Sequence, residues 1–236
     1  MLAGTAFRFV SPVGGGPEAL TYHDGGSDDD TGGYAFGVHT GTLDIGTAPS
    51  SGQRRFVVLC VLATDGNDDV EGQIISINST SPTFVADANC TAFSGGARVM
   101  VSYLEVASGT TADYQVNFFA AGSGYRIYAF SIYTDDDGLA VRSVNSDTDL
   151  SFSVTIAEER AGDLALGLIA STNNGSLGSS SFDTALFNVD VNSDEDVAGW
   201  AKSVSALGTN VVYSISDASS QDQAGTVIIF KPALAT

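Results

Sequence analysis

Nearly every apolar segment of this chain has the length and period of a β-strand, and turns rich in Asp, Gly, Asn and Ser separate those segments. The segments are RRFVVLCVLAT (54–64), GQIISIN (72–78), ARVMVSYLEV (97–106), DYQVNFFA (113–120), YRIYAFSIYT (125–134), LSFSVTIAE (150–158), GDLALGLIAST (162–172), ALFNVDV (185–191), NVVYSIS (210–216) and GTVIIFKP (225–232). In Tyr114-Gln-Val116-Asn-Phe118 every second residue is apolar, as a sheet with one buried and one wet face requires. The connections TDGNDDVEG, AAGSG, TDDDG and STNNGS are turn-formers. The nearest approach to a helical pattern, AEERAGDLALGL, is short and holds Gly162. With no alternation of strands and helices, the expectation is an all-β chain of antiparallel strands packed as a jelly-roll-like sandwich. Its 236 residues are enough to bury a substantial core.

An internal echo runs through the pattern. Gly109-Thr110 followed by Tyr114 returns as Gly208-Thr209 followed by Tyr213. Each is followed by a Gly-led terminal strand, GYRIYAFSIY from 124 and GTVIIFKP from 225, and FVVLCVLAT from 56 resembles LALGLIAST from 164. Two explanations stand: the strands of one sandwich look alike, or a strand unit occurs twice, as two stacked modules or as the two sheets of one sandwich. Residues 1–50, rich in Gly and Asp, read as an N-terminal arm or irregular start. Residues 51–236 read as the β-sandwich domain, with a possible internal division near 135–160.

Charge narrows the partners. Nine Lys and Arg stand against 28 Asp and Glu, for a formal net charge of −19. Phosphate contacts need clustered cations, so neither nucleic acid nor an anionic membrane is an expected partner. No apolar run approaches the roughly 18 residues of a membrane-spanning helix. The opening MLAGTAFRFVSPVGGG lacks the basic and long apolar regions of a signal peptide, so no targeting segment is expected. Cys60 and Cys90 allow one bridge, although Cys60 inside FVVLCVLA suits a buried free thiol. Asp outnumbers Lys by 22 to 2, which suits a saline setting where a hydrated anionic surface resists salting out.

Reactive signatures are missing. There is no G-x-S-x-G elbow, no H-E-x-x-H and no C-x-x-C, and the two histidines, His23 and His39, both fall in the Gly-rich start. No G-x-x-x-x-G-K-[ST] loop occurs. Glu105, ending the strand VMVSYLE, is the best single candidate for a glycosidase acid, but the sequence assigns it no partner and a solvated strand-end charge is the competing reading. The most chemically specific feature is the alternation Asp65, Asn67, Asp69 and Glu71, which would put side-chain oxygens on one side of a loop as Ca²⁺ ligation requires. Val70 stands where an EF-hand loop needs glycine, and a hydrated turn is the competing reading. Tyr103, Tyr114, Tyr125, Tyr128, Tyr133 and Trp200 are the aromatics a sugar platform would draw on; on strands they read first as packing residues.

Residues 52–232 resemble a known family. The order RRFVVLCVLA, GQIISINSTSPTFV, RVMVSYLEVASGTTADYQVNFF and YRIYAFSIY is similar to β-sandwich proteins encoded among the structural genes of tailed bacteriophages and prophages, mostly of marine and soil proteobacteria. The motif stands here as Leu104-Glu-Val106-Ala-Ser-Gly109-Thr110-Thr-Ala112-Asp-Tyr114-Gln-Val116-Asn-Phe118, and SFSVTIAEERAGDLALGLIAST through AGTVIIFKP matches the family's second half. The early turn departs from the family, with SINSTSPTF in place of Val-Gly-Gly. The resemblance implies a non-enzymatic virion component, a capsid decoration or a tail or fibre appendage. It also implies a homo-oligomer, by analogy a trimer, in contact with other virion proteins. The reading from another class is a carbohydrate-binding or receptor-binding adhesin module that meets a host surface glycan.

Overall fold

The computed structural model describes residues 19–65, 70–90, 95–135, 138–148, 152–172, 177–192, 195–215 and 223–233. It is all-β, with no helix among the described residues, and its strands lie in antiparallel sheets as the apolar period predicts. A five-stranded sheet has the order β1 (Thr21–Asp30), β8 (Gly124–Asp135), β3 (Gln53–Asp65), β6 (Gly96–Glu105), β5 (Thr83–Cys90). A three-stranded sheet has the order β2 (Gly37–Asp44), β7 (Thr111–Phe118), β4 (Gly72–Ile77). The second half of the chain forms another five-stranded sheet, β12 (Thr184–Asn192), β13 (Glu195–Ser203), β11 (Leu164–Ser171), β15 (Gln223–Pro232), β9 (Leu139–Asp147). It also forms a two-stranded sheet, β10 (Ser153–Glu159) with β14 (Gly208–Ser214).

The two halves repeat one strand order. β9, β15, β11, β13 and β12 follow each other across their sheet as β1, β8, β3, β6 and β5 do across theirs. β10 and β14 repeat β2 and β7, and the partner of β4 is not a strand among the described residues. The three sequence echoes fall on matched strands: FVVLCVLAT on β3 and LALGLIAST on β11, the two Gly-Thr turns at β7 and β14, and the Gly-led strands at β8 and β15. The unit occurs twice, and the copies stack.

Three apolar cores order the layers. Val57, Leu59 and Val61 of β3 pack with Val116 and Phe118 of β7 between the first five-stranded sheet and the three-stranded one. The alternate residues Val58, Cys60 and Leu62 meet Leu166, Leu168 and Ile228 of the other five-stranded sheet. Ala165, Ile169 and Ile229 then face Ile156 and Tyr213 of the two-stranded sheet. Both five-stranded sheets are therefore covered on both faces. That is why β3, β11 and β15 read as continuous apolar runs, whereas β7 alternates. Glycine permits the closest approaches: a Cβ on Gly167 would lie 2.2 Å from the Phe182 ring, and one on Gly225 would lie 2.4 Å from Phe152.

The start of the chain differs from expectation. Residues 21–30 and 37–44, expected within an irregular arm, are strands β1 and β2. Their polar sequences lack strand alternation, but β1 closes one edge of its sheet against β8 and its carboxylates are met there by side chains. Tyr128 donates its hydroxyl to Asp24, Tyr114 donates to Asp28, and the Arg126 guanidinium pairs with Asp29 at 2.6 Å. Residues 1–18 lie outside the described residues.

Arg55 fastens the sandwich from within. It is fully buried on β3, and its guanidinium donates to the carbonyls of Val106, Ile45, Gly46, Thr47, Ser108 and Gly109 at 2.8–3.4 Å. Gly46 and Gly109 adopt positive φ, 73° and 79°, which turns their carbonyls inward. One side chain thus satisfies two turns that would otherwise bury unpaired oxygens.

Candidate functional site

The polar outer face of the β2–β7–β4 sheet carries a depression of about 360 Å³. Its lining follows from strand alternation. On β7, Ala112, Tyr114, Val116 and Phe118 point into the core, so Asp113 and Gln115 point outward. The register sets Thr42 opposite Asp113 and Thr40 opposite Gln115, and Ser76 of β4 pairs with Gln115 from the other side. These five side chains line the depression.

Its rim is held in an unusual backbone conformation. Ile77 and Thr80 bridge a two-residue turn in which Asn78 and Ser79 have φ of 47° and 59°, a left-handed region that costs non-glycine residues about 1–2 kcal/mol each. Asn78 stabilises it, accepting the Asp113 N–H at its side-chain oxygen at 2.9 Å and donating its own N–H to the Asp113 carbonyl at 2.8 Å. The Asp113 carboxylate accepts the Thr42 hydroxyl at 2.6 Å. Ser76 is buried, and its Oγ has no hydrogen-bond partner. Beyond the last register pair of β2 and β7, Gly37 with Phe118, come Phe36 and Phe119, 71% and 43% exposed. The sequence signal was the alternation itself: the polar residues of ADYQVNF mark a wet face, and nothing in their order marks a ligand.

The metal loop lies partly outside the described residues, and the carboxyl and aromatic candidates are engaged within the fold. Of the proposed Ca²⁺ loop, Asn67 and Asp69 lie outside the described residues; Asp65 is buried at the end of β3 and Glu71 is exposed before β4. Among the described residues no group of three metal-ligating side chains occurs. Glu105 is an exposed strand-end carboxylate paired with Arg54 at 2.5 Å and 2.9 Å, and that guanidinium holds it below the usual carboxylate range, opposite to the shift a general acid needs. Tyr114, Tyr125, Tyr128 and Trp200 are buried in the cores, Tyr103 packs against one, and Tyr133 donates to the Thr47 carbonyl at 2.7 Å, so none of the six forms a platform. His39 bonds the Ala35 carbonyl at 2.8 Å, and His23 packs under Gly46. Cys60 and Cys90 are buried and not bridged by a disulfide, and the Cys90 thiol donates to the Thr148 carbonyl at 3.3 Å.

Most of the described cations are consumed internally: Arg54, Arg98, Arg126, Arg142, Arg160 and Lys202 form ion pairs, and Arg55 is enclosed by carbonyls. The surface field is correspondingly anionic.

No protein-family model matches the chain, and no match is found among curated proteins or solved structures.

Proposed function

We propose that the protein is a non-enzymatic structural component of a tailed-bacteriophage virion, a capsid decoration or a part of a tail or fibre appendage, acting as a homo-oligomer alongside other virion proteins. The observation that carries this reading is the stacked duplication. Four stacked antiparallel sheets enclose three apolar cores. Resemblance to virion sandwiches supplies the setting, and closed rotational assembly, by analogy a trimer, is the usual state of such subunits. The test is to image intact particles and locate this chain in the map. Repeated symmetric copies on the particle surface are expected; a single asymmetric copy, or none, overturns the proposal.

A second reading, a carbohydrate-binding or receptor-binding adhesin module, is favoured by one observation: the polar depression on the β2–β7–β4 face, with the exposed rings of Phe36 and Phe119 at the end of the same strands.

A further inference from the structure

Resting on that second reading, we infer that the outer face of the β2–β7–β4 sheet binds a neutral linear oligosaccharide. One sugar sits in the depression at Thr40, Gln115 and Ser76, and the chain runs along the strands to Phe36 and Phe119.

The chemistry of the face selects the ligand. The depression offers hydroxyls, an amide and one carboxylate, closely spaced donors and acceptors that complement vicinal sugar hydroxyls. It contains no cation. Asp113 stands within it, and the chain carries a net charge of −19, so an acidic sugar or a phosphate would be repelled. Ser76 lines the depression, and its Oγ has no partner within the protein, so rotation about the Ser76 χ1 bond leaves this hydroxyl available to a ligand.

Geometry sets the length. From the Thr40–Gln115 pair to Phe36 and Phe119 is four residues along β2 and β7, about 14 Å at strand rise, which exceeds a single sugar ring. Exposed phenyl rings at that end suit the apolar C–H face of a further sugar, while the depression takes its hydroxyls.

The test titrates the full chain with maltotriose, cellotriose and triacetylchitotriose, with trigalacturonate as the acidic arm and glucose as the monomer arm. Binding is followed by amide chemical shifts. The expected result is millimolar or tighter binding of a neutral trisaccharide, stronger than that of glucose, with shifts concentrated on β2, β4 and β7. Gln115→Ala and Ser76→Ala should each weaken it about five- to tenfold, the value of one hydrogen bond. Ser76→Ala should at the same time raise the melting temperature, because it removes an unpaired buried hydroxyl; a merely structural serine would not couple that rise to lost binding. Phe119→Ala, at an exposed position, should weaken the trisaccharide and leave glucose unchanged. Neutral binding that maps elsewhere overturns this placement and leaves the adhesin reading standing. A preference for trigalacturonate overturns the neutral ligand. Failure of every saccharide at millimolar concentration overturns both the inference and the adhesin reading.

Discussion

Tyr114 and Tyr213 hold equivalent places in the two halves of the chain, on β7 and β14, and each donates its hydroxyl to a carboxylate from a different strand: Asp28 of β1 for the first, Glu159 of β10 for the second. Burial, followed by the carboxylate bond, pushes both phenols well above their ordinary value near 10. Burial pushes Tyr125 up as well, to about 12.

These tyrosines bind their protons more tightly folded than unfolded, so their stabilisation is complete below the unfolded value near 10 and is lost as pH rises through the folded values. The melting temperature should hold up to about pH 10 and then fall steeply. Tyrosinate absorbance should rise together with loss of β-sheet circular dichroism. Tyrosinate appearing fully before any unfolding would contradict this.

Arg55→Met removes the guanidinium from six backbone carbonyls; those of Ile45 and Thr47 keep hydroxyl donors, Ser131 at 2.8 Å and Tyr133 at 2.7 Å, and the other four lose the Arg55 donor, each costing about 1–3 kcal/mol if buried and unpaired. A loss of at least about 3 kcal/mol is expected in denaturant melts, allowing for relaxation of the two turns. Its neighbour Arg54 pairs with an exposed Glu105, and Arg54→Met should cost under about 1 kcal/mol.

Gly167→Ala would drive a methyl group into the Phe182 ring. Overpacking of this kind costs about 1–3 kcal/mol, and Gly167→Ala combined with Phe182→Leu should recover part of that loss.

Cys60 sits in the core between the two five-stranded sheets, where burial raises its thiol far above the reactive range, and Cys90 lies buried on the edge strand β5. A thiol reagent should find neither cysteine in the native protein and two in denaturant. Prompt native labelling would overturn the placement of β3 and β5.

Chelation should leave the melting midpoint unchanged at constant ionic strength. Of the loop from Asp65 to Glu71, the described ends are a buried carboxylate and an exposed one, and Arg98 already ties Val70 through its carbonyl at 3.0 Å. A midpoint raised by millimolar calcium and lowered by Asp69→Ala would establish the metal reading.

All ten apolar segments of the sequence became strands, because burial on one or both faces writes itself into side-chain type. The strands that escaped notice are β1, β2, β5, β9 and β13. Four of them are sheet edges, where one side lacks a backbone partner and charge or small polar residues are tolerated: TYHDGGSDDD, GVHTGTLD, TFVADANC and LAVRSVNSD. β13 lies inside its sheet, but EDVAGWAKS opens on two acidic residues and its apolar run is broken by Gly199, which must admit the Phe187 ring 2.6 Å from where a Cβ would be. The depression was illegible for a different reason. Thr40, Ser76 and Gln115 are far apart in sequence, and only the register of three strands gathers them.

The face-to-face packing of the two five-stranded sheets makes the chain two tethered copies of one strand order. Either half alone would leave Val58, Cys60 and Leu62, or their counterparts Leu166, Leu168 and Ile228, open to water. Covalent linkage makes that contact intramolecular, so it does not depend on protein concentration. Among the described residues one copy lays three strands over its outer core and the other lays two, so the molecule presents unlike faces on its two outer sides.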